Sequence, residues 1–238
     1  MDDAITVIDL TVARGGKTVL DGLSCRIPAG RITGLLGPSG AGKTTLIRAV
    51  VGVQQVRSGT VTVLGQPAGS PALRAAVGYL TQAPSVYPDL TVLENARYFA
   101  SVAGASAAAA HAAVEQVGLK AAKHQLVGTL SGGQQSRASL ACAVVGDPAV
   151  LVLDEPTVGQ DPVLREELWA SFRERADRGT TLLVTSHVMD EANRCDRLLL
   201  IRGGGLLADE TPDLIKQRAG TDDLDQAFLT LIRQGAGS

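Results

Sequence analysis

The spacing of hydrophobic residues changes several times along this chain of 238 residues, and each change marks an element. Residues 4–36 read as strands: "LSCRI" at 23–27 alternates apolar and polar positions as a half-buried strand does. "GKT" at 16–18 and "PAG" at 28–30 mark turns on either side. "RITGLLG" at 31–37 carries a strand into a glycine-rich loop, and "KTTLIRAVVG" at 43–52 follows as a helix closed by Gly52. "SGTVTVLGQP" at 58–67 and "AVGYLTQ" at 76–82 are two more strands. "AVLVLDEP" at 149–156 is a continuous apolar run of the kind buried on both faces of a parallel sheet, and "TTLLVTSH" at 180–187 is a further buried strand. "RLLLIRGGGLLAD" at 197–209 reads as a hairpin.

Between about 84 and 130 the strand signals stop. "TVLENARYFASVAG" at 91–104 and the alanine-rich "SAAAAHAAVEQVGL" at 106–119 predict helices, so 84–130 reads as a helical lobe inserted into an α/β core. "GGQQSRASLACAVVG" at 132–146 is a helix stopped by Asp147 and Pro148, and a helix over 163–177 aligns Leu164, Leu168 and Phe172. In the last helix Leu224, Ala227, Phe228, Leu231 and Ile232 share one stripe, with acids at its start and Arg233 near its end. The whole of 1–238 therefore reads as a single domain with a C-terminal helical extension over 209–238.

Composition narrows the class. Hydrophobic residues make up 45% and charged ones 19%, and the net charge is −2, without the basic stripe of a nucleic-acid binder. Cys25, Cys142 and Cys195 are odd in number and scattered, as reduced thiols are, and no apolar run approaches the roughly 18 residues of a membrane span. The start, "MDDAITV", lacks the basic and apolar lead of a secretory signal.

The chemistry begins at Gly37-Pro38-Ser39-Gly40-Ala41-Gly42-Lys43-Thr44-Thr45, a full P-loop pattern between a strand and a helix. Backbone N–H groups and the helix end would wrap the phosphates of a nucleotide, and glycine permits their close approach. Lys43 would balance the phosphate charge, and Thr44 would offer its hydroxyl to Mg2+. Asp154 and Glu155 end a buried strand, on the edge of an α/β sheet where ligands bind. Beside a P-loop, Asp154 is a candidate Mg2+ ligand and Glu155 a candidate to polarise the attacking water. His187, at the end of another strand, could hold the γ-phosphate or that water. His111 and His124 read as structural. Gln82 closes a strand, where by residue type alone it is an ordinary loop glutamine, although its amide could reach Mg2+ or water.

A second glycine segment, Ser131-Gly132-Gly133-Gln134, carries no lysine. Ser131 and Gln134 form a capping box, in which the serine contributes about 1 kcal/mol. Gly132 and Gly133 in the first helical turn would oppose it by up to about 1 kcal/mol each. The glycines therefore point to a second anion-binding surface.

"GPSGAGKTT", Gln82, "LSGGQ", "LVLDE", "VGQD" and "TSH" follow in the order and spacing of an ATP-binding-cassette ATPase, which the chain resembles over nearly its whole length. The resemblance implies a P-loop core of mostly parallel sheet with flanking helices, an N-terminal antiparallel β-subdomain and the inserted helical lobe. It implies a head-to-tail pair of this chain with a second copy or a related cassette. ATP would lie between each P-loop and the partner's Ser131 to Gln134. Glu155 becomes the general base, His187 the γ-phosphate switch, and Asp161 an acid that crosses the pair. "YPDLTVLENARYFA", "DEPTVGQDPVLREELW" and "DDLDQAFLTLI" resemble exporter ATPases of the drug-resistance type, which drive a separate membrane permease from the cytoplasmic face. In two places the chain departs from the pattern. Arg14 aligns where an aromatic usually stacks on adenine. Gln160 stands where this branch often has leucine, at a position that faces the partner chain.

A transport ATPase is thus the leading expectation. A soluble cassette protein acting on ribosomes or DNA usually has two cassettes or a coiled-coil insertion, and neither is seen. A P-loop kinase or GTPase leaves "LSGGQ" and His187 unexplained. In the transport reading the lobe receives the permease in a groove near Gln82, with Tyr87, Leu90 and Val92 as its apolar candidates.

Overall fold

The computed structural model describes residues 2–186 and 188–234. Strands β1 (Asp3–Arg14) and β2 (Lys17–Pro28) form a long antiparallel pair. Its turn is Gly15 and Gly16, with φ of 55° and 78°, the left-handed pair that a two-residue hairpin requires. Lys17 and Thr18 already belong to β2, so the turn lies earlier than "GKT" suggests. Strand β3 (Ile32–Leu36) leads to the P-loop. The stretch 58–67, expected as one strand, folds back at Leu64 and Gly65 into β4 (Ser58–Val63) and β5 (Gln66–Pro67). These strands make an antiparallel sheet of order β2-β1-β4-β5.

The second sheet adds β6 (Val77–Leu80), β7 (Val150–Asp154), β8 (Thr181–Thr185), β9 (Arg197–Arg202) and β10 (Gly205–Glu210). Its order is β10-β9-β3-β8-β7-β6, parallel except for the β10 edge. Every residue of β3, β7 and β8 is buried, as continuous apolar runs require. Alternate residues serve opposite faces. Val152 and Leu183 join a core with Leu46, Ile47 and the antiparallel sheet, while Leu153 and Val184 join a core with Trp169 and Phe172.

The helices are α1 (Lys43–Val50), α2 (Val92–Val102), α3 (Ala107–Gln116), α4 (Gly132–Val144), α5 (Pro162–Asp177), the single turn α6 (Met189–Ala192), α7 (Pro212–Ala219) and α8 (Leu224–Gln234). Helices α2, α3 and α4 pack on one another, and α7 packs on α8. Helix α2 opens with a capping box of Thr91 and Glu94, and Ser106 and Thr211 cap α3 and α7. In α8, Leu224, Ala227 and Leu231 are buried and Phe228 packs beside them. All three cysteines are buried, and burial pushes each thiol up to about 12.

Candidate functional site

The loop between β3 and α1 closes over its own lysine. Lys43 Nζ donates to the carbonyls of Gly37 at 2.7 Å and Pro38 at 3.1 Å. Burial lowers this amine below its ordinary pKa, against the opposing pull of Glu155 and Asp154. Gly42, the N-cap of α1, has φ of 108°, and a Cβ there would stand 2.6 Å from Leu20. Because glycine has no side chain, the first-turn N–H groups of α1 receive no side-chain cap. Such a helix end is receptive to an anion.

A cavity of about 510 Å³ opens on this loop and brings together Arg14, Ser39, Lys43, Thr44, Gln82 and Glu155. Gly40, Gly42 and Thr45 also border it, while Pro38 and Ala41 belong to the loop without lining the cavity. Arg14 reaches it from the end of β1, and Gln82 from just beyond β6.

The carboxylates lie at the end of β7. Asp154 is 3% exposed, and its Oδ1 accepts from the Thr185 hydroxyl at 2.7 Å. Its Oδ2 is buried with no hydrogen-bond partner, a costly state for an ionised oxygen unless a cation or donor arrives. Glu155 holds φ of 56°, an uncommon conformation for a residue with a long side chain. The Glu155 N–H donates to Thr185 Oγ1 at 2.8 Å, and Gln82 Nε2 donates to Glu155 Oε2 at 3.2 Å. One hydroxyl therefore ties both acidic residues to β8. Thr185 was hidden in the sequence among apolar neighbours. Its only signal is a polar residue at the end of "TTLLVT", in register with Asp154. His187 lies outside the described residues.

Ser131, Gly132, Gly133, Gln134 and Asp161 do not line this cavity. Ser131 Oγ accepts the Gln134 N–H at 3.3 Å, and Gln134 Oε1 accepts the Ser131 N–H at 3.0 Å, so the capping box forms. Capping alone leaves Gly132 unaccounted for, since a Cβ there would meet nothing within 4 Å. Gly133 has a reason within the chain: its Cβ would come 3.3 Å from the Gly159 carbonyl. Asp161 caps α5, its Oδ1 accepting the Leu164 N–H at 3.1 Å. Gln160, expected to face a partner, is instead 7% exposed and folds into its own chain. Its Nε2 donates to the Gly133 carbonyl at 3.3 Å.

The apolar groove also differs from expectation. It is lined by Tyr79, Thr81, Ser85, Phe99, Val102 and Cys142, among others, and by none of Tyr87, Leu90 and Val92. Val92 begins α2 and is buried in the core, Leu90 is half-buried, and Tyr87 stands exposed with its ring edge-on to Tyr98. The loop carrying Tyr87 and Leu90 is fixed by Asn95. This fully buried amide accepts the Tyr87 N–H at 2.8 Å and donates to the carbonyls of Tyr87 and Thr91 at 3.0 and 3.1 Å.

Among the described residues no helix is long and apolar enough to cross a membrane. The sequence pattern of the family described as ABC transporter matches residues 20–158. The Nod factor export ATP-binding protein I of Burkholderia lata is 44% identical over 220 residues, covering 89% of this chain and 72% of that protein. A probable multidrug ABC transporter ATP-binding protein of Escherichia coli is 36% identical over 242 residues, covering 97% of this chain and 42% of that protein. Among solved structures, an ATP-binding subunit of an ABC transporter superposes with a TM-score of 0.89 at 25% identity, covering 96% of this chain and 99% of that one. A dimeric ATP-binding cassette in a post-hydrolysis state, bound to ADP and phosphate, gives a TM-score of 0.81 at 21% identity, over 87% of this chain and 98% of that one.

Proposed function

The chain belongs to the ABC transporter family, and we propose that it is the ATP-binding and ATP-hydrolysing subunit of an exporter, driving a separate membrane permease. The observation that carries the reading is the convergence of Lys43, Thr44, Gln82 and Glu155 on one cavity.

In this reading Gly37 to Thr45 wrap the phosphates of ATP, and Lys43 leaves its loop carbonyls to meet them. Arg14 stacks its guanidinium on the base. The unpartnered Asp154 oxygen, the Thr44 hydroxyl and the Gln82 amide suit Mg2+, a hard cation that takes oxygen ligands. When bound, the ion neutralises charge on the phosphate oxygens. Glu155, held by Thr185 and Gln82, takes the proton of the attacking water. His187 holds the γ-phosphate.

Ser131 to Gln134 close over the ATP of a second copy or a related cassette, and Asp161 crosses that junction. The open space at Gly132 and the exposed Val158 and Val163 beside Asp161 support such a face. The single domain includes a helical lobe over 84–130, where the permease docks, and a helical extension over 209–238. The chain then works in the cytoplasm, on the inner face of the membrane. The names of the relatives support export.

The test is the solution mass of Glu155→Gln with and without Mg-ATP, alone and combined with Ser131→Arg. We expect a monomer that pairs only with ATP and only with Ser131 intact. A monomer under every condition overturns self-pairing, and retained turnover in Glu155→Gln moves the base elsewhere.

A further inference from the structure

Gln160 ends the tight turn that begins at Glu155. The turn is closed by the Val158 N–H on the Glu155 carbonyl at 3.4 Å and the Gln160 N–H on the Thr157 carbonyl at 3.2 Å. The side chain of Gln160 leaves this turn and reaches a residue 27 positions back, donating to the Gly133 carbonyl at 3.3 Å. Gly133 in turn lies so close to the turn that a methyl group at its Cα would press on the Gly159 carbonyl at 3.3 Å and touch Gln160 at 3.5 Å, an ordinary contact. The contact is therefore a fitted one: a glycine without a side chain against a buried amide donor. The next residue, Asp161, caps α5 through its Oδ1. Gln160 thus stands between the helix end at Ser131 and the turn carrying Glu155, with a hydrogen bond to the first and a backbone connection to the second.

We propose that Gln160 is a positioning residue that fixes the Ser131–Gly133 helix end against the Glu155 turn of the same chain. The inference rests on the reading above for its consequence: the helix end offered to one ATP is aligned by the turn that serves the other. A leucine fills space there but cannot donate to the carbonyl.

Amide exchange in the isolated monomer tests the positioning directly. The Gln134 and Gln135 amides bond to the side chain and carbonyl of Ser131. In Gln160→Leu they should exchange about fivefold faster, the factor of one lost hydrogen bond of ordinary strength. The Leu46 amide, on α1, serves as the unchanged control. Gln160→Glu separates hydrogen bonding from packing. Its carboxylate sets acceptor against acceptor at neutral pH and becomes a donor when protonated. Its exchange rate relative to wild type should therefore fall toward one as the pH is lowered, a recovery that a purely packing role would not produce. Equal exchange in Gln160→Leu and wild type, or a pH-independent ratio in Gln160→Glu, overturns the inference. In the Glu155→Gln background, Gln160→Leu should need about fivefold more Mg-ATP to pair. Pairing that is unchanged overturns the consequence and leaves the ATPase reading standing. Absence of pairing in Glu155→Gln itself overturns self-pairing, while the exchange data still decide the role of Gln160.

Discussion

Thr185 stands in register across the sheet from Asp154 and donates its buried hydroxyl to that carboxylate at 2.7 Å. The same oxygen accepts the Glu155 N–H at 2.8 Å, in a residue whose φ is 56°. A single methyl-for-hydroxyl change therefore removes one bond from the Asp154 carboxylate and one from the Glu155 backbone. Thr185→Val should lower kcat by about 10- to 100-fold, the range for a hydrogen bond to a charged group. Binding of ATP without metal should change little. Steady-state kinetics and nucleotide titration read the two separately, and an unchanged kcat would remove Thr185 from the site.

Lys43 carries its charge at an energetic disadvantage, because burial outweighs the attraction of Glu155 and Asp154. A lysine whose folded pKa is depressed weakens folding while both states are protonated, and the penalty fades as pH rises from the folded toward the unfolded value. Lys43→Met should thus be at least as stable as wild type at neutral pH. Its advantage should shrink in alkaline solution, while ATP affinity is lost. Thermal melts at neutral and alkaline pH check the sign. A destabilised variant at neutral pH would show that the Gly37 and Pro38 contacts outweigh burial.

Gly132 and Gly133 should separate under the same substitution. Alanine is favoured over glycine by up to about 1 kcal/mol within a helix, and Gly132 has open space for it. Gly132→Ala should be neutral or stabilising in the monomer yet lower turnover at least tenfold. Gly133→Ala must push the Gly159 carbonyl by a few tenths of an ångström, which offsets the helical gain, so this variant should be less stable than Gly132→Ala. Melts and turnover on both variants decide it, and full turnover in Gly132→Ala would leave that glycine without a ligand to explain it.

Asn95→Leu should destabilise the chain by about 1–3 kcal/mol, since it strands the Tyr87 N–H in a buried site, while the Tyr87 and Thr91 carbonyls keep the backbone N–H groups of Leu90 and Asn95. Proteolytic nicking between residues 85 and 91 should rise with it. A loop that resists the protease as well as wild type would mean that Tyr87 and its contact with Tyr98 hold it independently.

Much of the fold was legible where chemistry is local. The apolar runs ending at Leu36, Asp154 and Thr185 are the three fully buried parallel strands, and the capping box at Ser131 forms as its spacing predicts. What escaped depends on partners far away in the chain. The strand at 58–67 reverses at Leu64, whose positive φ no residue-type signal announces. Val92 looked like groove lining because its inward direction is set only by the packing of α2. Thr185 was hidden because its importance comes from the register of β8 against β7. Gln160 was assigned to a partner by resemblance, while its buried position is set by Gly133, 27 residues upstream.

The three buried cysteines leave the folded surface with no native thiol to compete for a reagent. Burial holds each of them near 12, so at neutral pH they carry almost no thiolate. A cysteine introduced at exposed Val158 or Val163 would consequently be the one fast-reacting group in an otherwise unaltered chain. A fluorophore or spin label placed there would report the approach of a second cassette without any prior removal of native residues.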